Sequence, residues 1–174
     1  TDGVATFLND TIKRVREINP GTTMETLIPD FDGKTENIQK IIDAGPDVIS
    51  HNVETVRRLT PIIRSKAKYD RSLDVIRFIT EKGKVAKSGF MIGLGESEEE
   101  IIQTISDLYE AGCKILTIGQ YLQPGLDYME VVEYITPEKF EEYRVNALKR
   151  GFSFVESSPL VRSSFHAENH VKAQ

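Results

Sequence analysis

The sequence of 174 residues predicts an α/β protein, an open and incomplete (β/α) barrel around a parallel sheet. Three observations predict this fold. Strand-like and helix-like segments alternate along the chain, the connections between them are short, and no repeat or low-complexity segment interrupts the pattern. Only four or five strands are recognisable, which is too few to close an eight-stranded barrel.

The first part of the chain predicts two helices that alternate with two strands. Apolar residues recur at helical spacing and proline or glycine ends each segment. The predicted segments are a helix over 7–18, a strand over 22–28, a helix around 38–42 that closes at Gly45, and a mostly apolar strand over 47–53.

The second part of the chain predicts three more helices, each followed by a strand. The third helix carries Leu73, Ile76 and Ile79 on one face, and a strand over 85–94 follows it. The next helix begins at Ser97, because serine with Glu100 three residues later forms a capping box. This helix is predicted to bury Ile101, Ile105 and Leu108. A strand over 115–122 follows it, then a helix from Thr136–Pro137 and a short strand over 152–156. The helix from Thr136–Pro137 is predicted to bury Phe140, Tyr143 and Leu148.

Composition excludes several classes of function. The net charge is -5 with both signs interspersed, and no basic stripe indicates nucleic acid as a partner. No apolar run approaches the length of a membrane span. The one cysteine, Cys113, cannot form an internal disulfide and is predicted to be a small buried residue, which favours a reducing, cytoplasmic location.

Polar residues follow the predicted strands at the edge where parallel α/β sheets bind ligands. Asn52 and Glu54 are two positions apart, so on one strand they point to the same face, and an amide with a carboxylate suits the hydroxyls of a ribose. A helix cap or loop contact is the equally weighted alternative. The glycines in 89–96 lack the spacing of a dinucleotide site and could simply permit packing and a turn.

The three histidines favour structural roles over metal binding. His51 is predicted to be a hydrogen-bonded residue at a strand end rather than a metal ligand. His166 and His170 are four positions apart and could bind zinc on a helix, but no third ligand is near, so a solvated tail is preferred.

Three specific stretches resemble signature sequences of the lipoyl synthase family. They are 50–56 (Ser-His-Asn-Val-Glu-Thr-Val), 117–124 (Thr-Ile-Gly-Gln-Tyr-Leu-Gln-Pro) and 159–164 (Pro-Leu-Val-Arg-Ser-Ser). The stretches 19–31 and 93–96 match in order and spacing, so the resemblance covers essentially the whole chain.

The resemblance implies a partial (β/α) barrel of the radical S-adenosylmethionine (SAM) type over 1–156, with its N-terminal strands missing, and a tail over 157–174 carrying the Arg-Ser-Ser motif. It implies SAM and two [4Fe–4S] clusters as cofactors. One cluster cleaves SAM to a 5′-deoxyadenosyl radical, and the other donates sulfur to C6 and C8 of a protein-bound octanoyl group. The implied partners are octanoylated lipoyl-carrier domains, those of 2-oxoacid dehydrogenase E2 and glycine cleavage H protein.

The resemblance also implies roles for individual residues. Asn52 and Glu54 would hold the ribose of SAM, and Arg71 would reach its carboxylate. Ser164 would supply an oxygen ligand to one iron of the sulfur-donating cluster, a harder and more labile ligand than a thiolate. The stretch 89–96 resembles the superfamily's strand-five motif and adds Gly89, Met91 (against adenine), Gly93 and Glu96 as cofactor-binding residues.

The sequence departs from the family in ways that bear on activity. The family's two cysteine triads lie upstream of the matching region, and one cysteine cannot anchor two clusters, so this chain alone is expected to be inactive. Tyr128, Ser158 and Phe165 replace the family's usual histidine, glycine and tyrosine. The alternatives are a scaffold fragment that completes a separately encoded cysteine-bearing piece, or an iron-free, nucleoside-binding half-barrel enzyme.

Overall fold

The computed structural model describes residues 2 and 4–170 of the chain. These residues form seven helices and five strands, with a 3₁₀ turn at Phe31–Gly33, and helices separate all consecutive strands. The elements in order are α1 (Ala5–Ile18), β1 (Glu25–Leu27), α2 (Thr35–Ala44), β2 (Val48–Ser50), α3 (Thr60–Ile63), α4 (Tyr69–Glu81), β3 (Val85–Ile92), α5 (Glu98–Glu110), β4 (Ile115–Gln120), α6 (Pro137–Arg150), β5 (Phe154–Ser158) and α7 (Ala167–His170).

The five strands form one sheet in which every neighbouring pair is parallel. The order across the sheet is the order along the chain, β1-β2-β3-β4-β5. A doubly wound sheet reverses its strand order, whereas a (β/α) barrel does not. The predicted α/β fold, an incomplete barrel, is therefore confirmed.

The two faces of the sheet differ in polarity. Most positions that face the helices are apolar and join one core with them, for example Ile49, Ala86, Phe90, Leu116 and Ile118. The alternate positions form the inner face, which corresponds to the lumen of a closed barrel. This inner face carries polar residues, which are Glu25, Ser50, Lys87, Thr117 and Glu156.

Two helix starts agree with the sequence signals. Ser97 caps α5, and both halves of the capping box with Glu100 are present. Thr136 caps α6 by accepting a hydrogen bond from the backbone N–H of Lys139, and Pro137 occupies the first turn. These signals are local in sequence, so they are readable without the fold.

Three details of the predicted elements are wrong. Leu148 was predicted to be buried, yet it is 37% exposed because α6 packs through Phe140, Tyr143 and Ala147, and Leu148 lies beside that stripe. The last strand is shifted by two residues, since Phe152 packs into the core before pairing begins. The strands predicted over 22–28 and 47–53 are shorter, three residues each.

The C-terminal segment, which we define as residues 159–166, packs against the inner face. Val161 is buried, and its carbonyl oxygen lies 2.8 Å from where a methyl group on Gly119 would stand. Nδ1 of His166 lies 2.9 Å from Oε1 of Glu156 on β5. The boundary predicted at residue 156 remains a prediction, and residues 171–174 of the predicted tail lie outside the described residues.

Candidate functional site

A cleft of about 240 Å³ opens on the inner face at the carboxyl end of the sheet. Strands β3 and β4, the stretch after β2 and the C-terminal segment each supply part of its wall. Its lining residues are Asn52, Glu54, Gly89, Phe90, Met91, Thr117, Gly119, Gln120, Leu122, Val161, Arg162 and Ser163. This inner-face cleft brings together four of the predicted cofactor-binding residues: Asn52, Glu54, Gly89 and Met91.

Asn52 and Glu54 meet in the cleft as predicted, although not by strand alternation. Strand β2 ends at Ser50, before either residue. Nδ2 of Asn52 donates a long hydrogen bond of 3.4 Å to Oε1 of Glu54. The Oδ1 atom of Asn52 is buried and has no hydrogen-bond partner among the described residues. A buried acceptor without a partner costs free energy, so it marks a position where a ligand hydroxyl or N–H would be stabilised.

The backbone at Glu54 adopts a conformation that non-glycine residues rarely take. Its φ is +67°, in the left-handed region, which costs about 1–2 kcal/mol. Two hydrogen bonds to β3 hold it there, because its N–H donates to the carbonyl of Gly89 and its carbonyl accepts from the N–H of Met91. The carboxylate is thereby fixed at the edge of the cleft.

Gly89 leaves the space between Asn52 and Thr117 open. A methyl group there would lie 2.2 Å from Oγ1 of Thr117 and 3.4 Å from Oδ1 of Asn52. Thr117 pairs with Gly89 across the β3–β4 ladder and points into the same cleft. Thr117 was not predicted as a site residue, although it begins the signature stretch 117–124 on the next predicted strand.

Gly93 and Glu96 stand beside the cleft rather than in its lining. The carboxylate of Glu96 accepts from the backbone N–H of Gly93 and, at 2.9 Å, from that of Leu94, so it holds the turn after β3. Gly93 in turn anchors the following loop, because its carbonyl accepts from the N–H groups of Val132 and Glu133. Their predicted contacts with a cofactor remain predictions.

Arg71 lies in a separate pocket at the carboxyl end of β1. Its Nε donates to Oδ2 of Asp30 at 2.6 Å, and its guanidinium also bonds the carbonyl of Lys66. That pocket, which Arg64 also lines, shares no lining residue with the inner-face cleft. The structure therefore does not bring Arg71 together with Asn52 and Glu54.

His51 precedes Asn52 but does not line the cleft, and both of its ring nitrogens are hydrogen-bonded. Its Nδ1 lies 2.9 Å from the carbonyl of Ile28 and its Nε2 lies 3.0 Å from Oγ of Ser72. Burial lowers the pKa of the imidazole, so the neutral ring donates through Nδ1 to the carbonyl and accepts from the serine hydroxyl. Both nitrogens are engaged, which confirms the hydrogen-bonded role over a metal ligand.

The described residues offer no ready metal centre. No group of three or more His, Cys, Asp and Glu side chains converges among them. Ser164 is exposed, and the side chain of His170 lies outside the described residues. Cys113 is a small buried residue, as predicted, and burial raises the pKa of its thiol to about 12. Its Sγ lies 3.2 Å from the carbonyl of Ile115.

A buried ion pair lies on the same inner face and was not predicted from the sequence. Nζ of Lys87 lies 2.7 Å and 2.9 Å from the two carboxylate oxygens of Glu25, and it also donates to the carbonyl of Ser163. Burial lowers the pKa of Lys87, and the bond to Glu25 opposes that shift. A lysine in the middle of an otherwise buried strand was the sequence signal.

The sequence is similar to a family and to curated proteins within it. Residues 3–108 match the family model described as the radical SAM superfamily. The chain is 54% identical over 169 residues to the lipoyl synthase of Parabacteroides distasonis, covering 97% of this chain and 60% of that protein. It is 59% identical over 162 residues to the lipoyl synthase of Phocaeicola vulgatus, covering 93% of this chain and 57% of that protein. The chain thus spans somewhat under two thirds of these relatives.

Solved structures with little sequence identity share the fold. Methylornithine synthase superposes with a TM-score of 0.67 at 16% identity, over 91% of this chain and 54% of that one. A domain of the pyruvate-formate lyase-activating enzyme of Bacteroides vulgatus gives 0.66 at 12% identity, over 87% of this chain and 90% of that one. Among the described helices, none is both long and apolar enough to cross a membrane.

Proposed function

Because the chain belongs to the radical SAM superfamily, we propose that its inner-face cleft binds SAM and that it works as part of a lipoyl synthase. The resemblance read from the sequence motifs is confirmed by the lipoyl synthases that match nearly the whole chain. Bound SAM would supply a 5′-deoxyadenosyl radical after one-electron reduction by an iron–sulfur cluster. The residues of this chain supply the binding surface, and their placement supports the proposal.

One observation carries the proposal: Oδ1 of Asn52 is buried, without a partner among the described residues, in a cleft that Gly89 keeps open. The carboxylate of Glu54 stands 3.4 Å from the Asn52 amide nitrogen. Two acceptors and an amide donor at this spacing fit two neighbouring ribose hydroxyls. Met91 lines the same cleft and offers an adaptable apolar surface for a base.

Weakened SAM binding is the expected result of removing either polar group. We expect Asn52→Ala and Glu54→Gln each to raise the Kd for SAM about tenfold, because each loses a hydrogen bond of roughly 1–2 kcal/mol in a desolvated cleft. Isothermal titration calorimetry with SAM measures the change. Glu99→Gln, which alters net charge equally on the exposed start of α5, is the matched control. Wild-type affinity in both cleft variants would remove the basis for the ribose assignment.

The iron–sulfur clusters do not fit the residues of this chain. Cluster irons are held by thiolates, and the one cysteine is buried with a strongly raised pKa. Ser164 could bind iron only together with cysteine ligands that this sequence does not contain. For the whole protein we propose sulfur insertion at C6 and C8 of octanoyl groups on lipoyl-carrier domains, in the cytoplasm. No step of that reaction is assigned to the chain described here.

The 174-residue chain alone is expected to assemble no stoichiometric cluster. Anaerobic reconstitution with iron and sulfide, followed by iron counting, should give well below about four iron atoms per chain. An assay with an octanoylated carrier domain should give no lipoyl product. A full cluster together with lipoyl product would overturn the expectation. An iron-free, nucleoside-binding enzyme would also bind SAM without iron, so SAM binding alone does not distinguish it from part of a lipoyl synthase. The assay with an octanoylated carrier domain, run on the whole protein, distinguishes the two hypotheses.

A further inference from the structure

Among the contacts of the Lys87 ammonium with described residues are two oxygens of Glu25 and one backbone carbonyl, that of Ser163, which is not part of the sheet. The Lys87 side chain is fully buried, with 0% exposure, whereas the Glu25 side chain is 20% exposed. The ammonium lies within hydrogen-bonding distance of both carboxylate oxygens of Glu25 on β1. It also donates to the backbone carbonyl of Ser163 in the C-terminal segment.

The bond to Ser163 serves both the ammonium and the segment that accepts it. Burying an ammonium is costly unless its N–H groups are paired and hydrogen-bonded, and Glu25 satisfies only part of them. The bond to Ser163 lowers that cost, and it fastens the middle of a segment that has no strand pairing of its own. That segment is otherwise held near its ends, by the buried Val161 and by the pair between His166 and Glu156.

The fastened residues are a wall of the cleft. Val161, Arg162 and Ser163 line it together with Asn52 and Glu54. Gly119 permits this arrangement, because a side chain at that position would collide with the carbonyl of Val161. The position of the C-terminal segment therefore affects the width of the cleft, and the side chain of Lys87 bonds this segment between Val161 and His166.

We propose that Lys87, paired with Glu25, is a positioning residue that fastens residues 161–163 as a wall of the cleft, so that order in this segment and SAM binding are coupled. The identity of the ligand rests on the proposed function, whereas the fastening does not. Because coupling is reciprocal, SAM should protect the segment as much as the segment favours SAM. Lys87 itself does not line the cleft.

Hydrogen–deuterium exchange of the full chain without ligand tests the fastening. In Lys87→Met we expect the backbone amides of residues 161–165 to exchange about tenfold faster, while those of β4 keep their wild-type rates. Lys87→Arg, which keeps a buried donor, should restore part of the protection. The matched control Arg16→Met breaks a partly buried ion pair with Asp47 and should leave the segment unchanged. Equal rates in Lys87→Met and wild type would overturn the proposal.

Calorimetry with SAM tests the coupling. We expect the Kd to rise about fivefold in Lys87→Met and to recover in Lys87→Arg, and SAM to slow exchange at residues 161–165 in the wild type. Should Lys87→Met not fold, Glu25→Gln is the milder variant, with an expected increase in exchange of about threefold. If wild type binds no SAM but Lys87→Met still frees the segment, only the proposed function fails. If SAM binds and neither variant frees the segment, only the fastening fails.

Discussion

Gly93→Ala is expected to destabilise the fold by about 2–5 kcal/mol, and two separate effects contribute. The φ of Gly93 is +104°, a conformation in which a side chain costs about 1–2 kcal/mol. A methyl group there would also stand 2.5 Å from the carbonyl oxygen of Glu133 and 2.2 Å from Nε2 of Gln120. Since the first is a backbone atom, relief requires the loop to move, at a further cost of about 1–3 kcal/mol.

The chain offers a control that separates strain from collision. Gly45 also has a positive φ, +82°, but a methyl group there would meet nothing within 4 Å. Gly45→Ala should therefore cost only the strain, about 1–2 kcal/mol. Urea unfolding of both variants, followed by circular dichroism, measures the difference. If both variants lose the same free energy of unfolding, the collision between Gly93 and the loop contributes nothing.

The hydrogen bonds of the loop after β4 explain why a collision at Gly93 would cost so much stability. The side chain of Gln120 donates to the carbonyls of Tyr121 and Glu133 and accepts from the N–H of Ile135, so it bonds both ends of the stretch after β4. Gly93 lies directly against this network. Gly93, which was predicted to bind the cofactor, therefore has a structural role that does not depend on its contacts with a ligand.

Local signals in the sequence were sufficient for the starts of α5 and α6, but not for the strand ends. Ser97 and Glu100 bond each other's backbone within one turn, so the start of α5 was readable from four residues. The end of β2 was placed too late, because the chain leaves the ladder after Ser50 to bridge β3 at Glu54. Nothing in the local sequence indicates a left-handed conformation at a glutamate.

Long-range contacts account for the part of the site that was missed. Lys87 bonds Glu25, which is 62 positions away, and Ser163, which is 76 positions away. No periodicity or motif encodes such a pair. Asn52 and Glu54 were found because a motif carried them, and their contact arises from the bridge to β3 rather than from strand alternation. Of the family departures, Tyr128 and Phe165 are largely exposed and Ser158 ends β5.

Gly89→Val is expected to abolish measurable SAM binding, raising the Kd at least about 100-fold. The first added carbon would stand 2.2 Å from Oγ1 of Thr117 and 3.4 Å from Oδ1 of Asn52, and the two further methyl groups would occupy the cleft itself. Valine suits a strand, so part of the overpacking cost is offset and the fold should persist. Calorimetry with SAM measures the affinity, and circular dichroism checks the fold.

Two controls make the loss of binding specific to the cleft. Ser88→Val places the same side chain one residue earlier, on the helix-facing side of β3, where the serine Oγ is buried without a partner among the described residues. Its affinity for SAM should match the wild type. Gly89→Ala combined with Thr117→Ala removes the collision with Oγ1 while keeping a methyl group in the cleft, so it should be more stable than Gly89→Val and should still bind SAM weakly. Binding within threefold of the wild type in Gly89→Val would place the cofactor elsewhere, since no ligand can share the volume that those methyl groups fill.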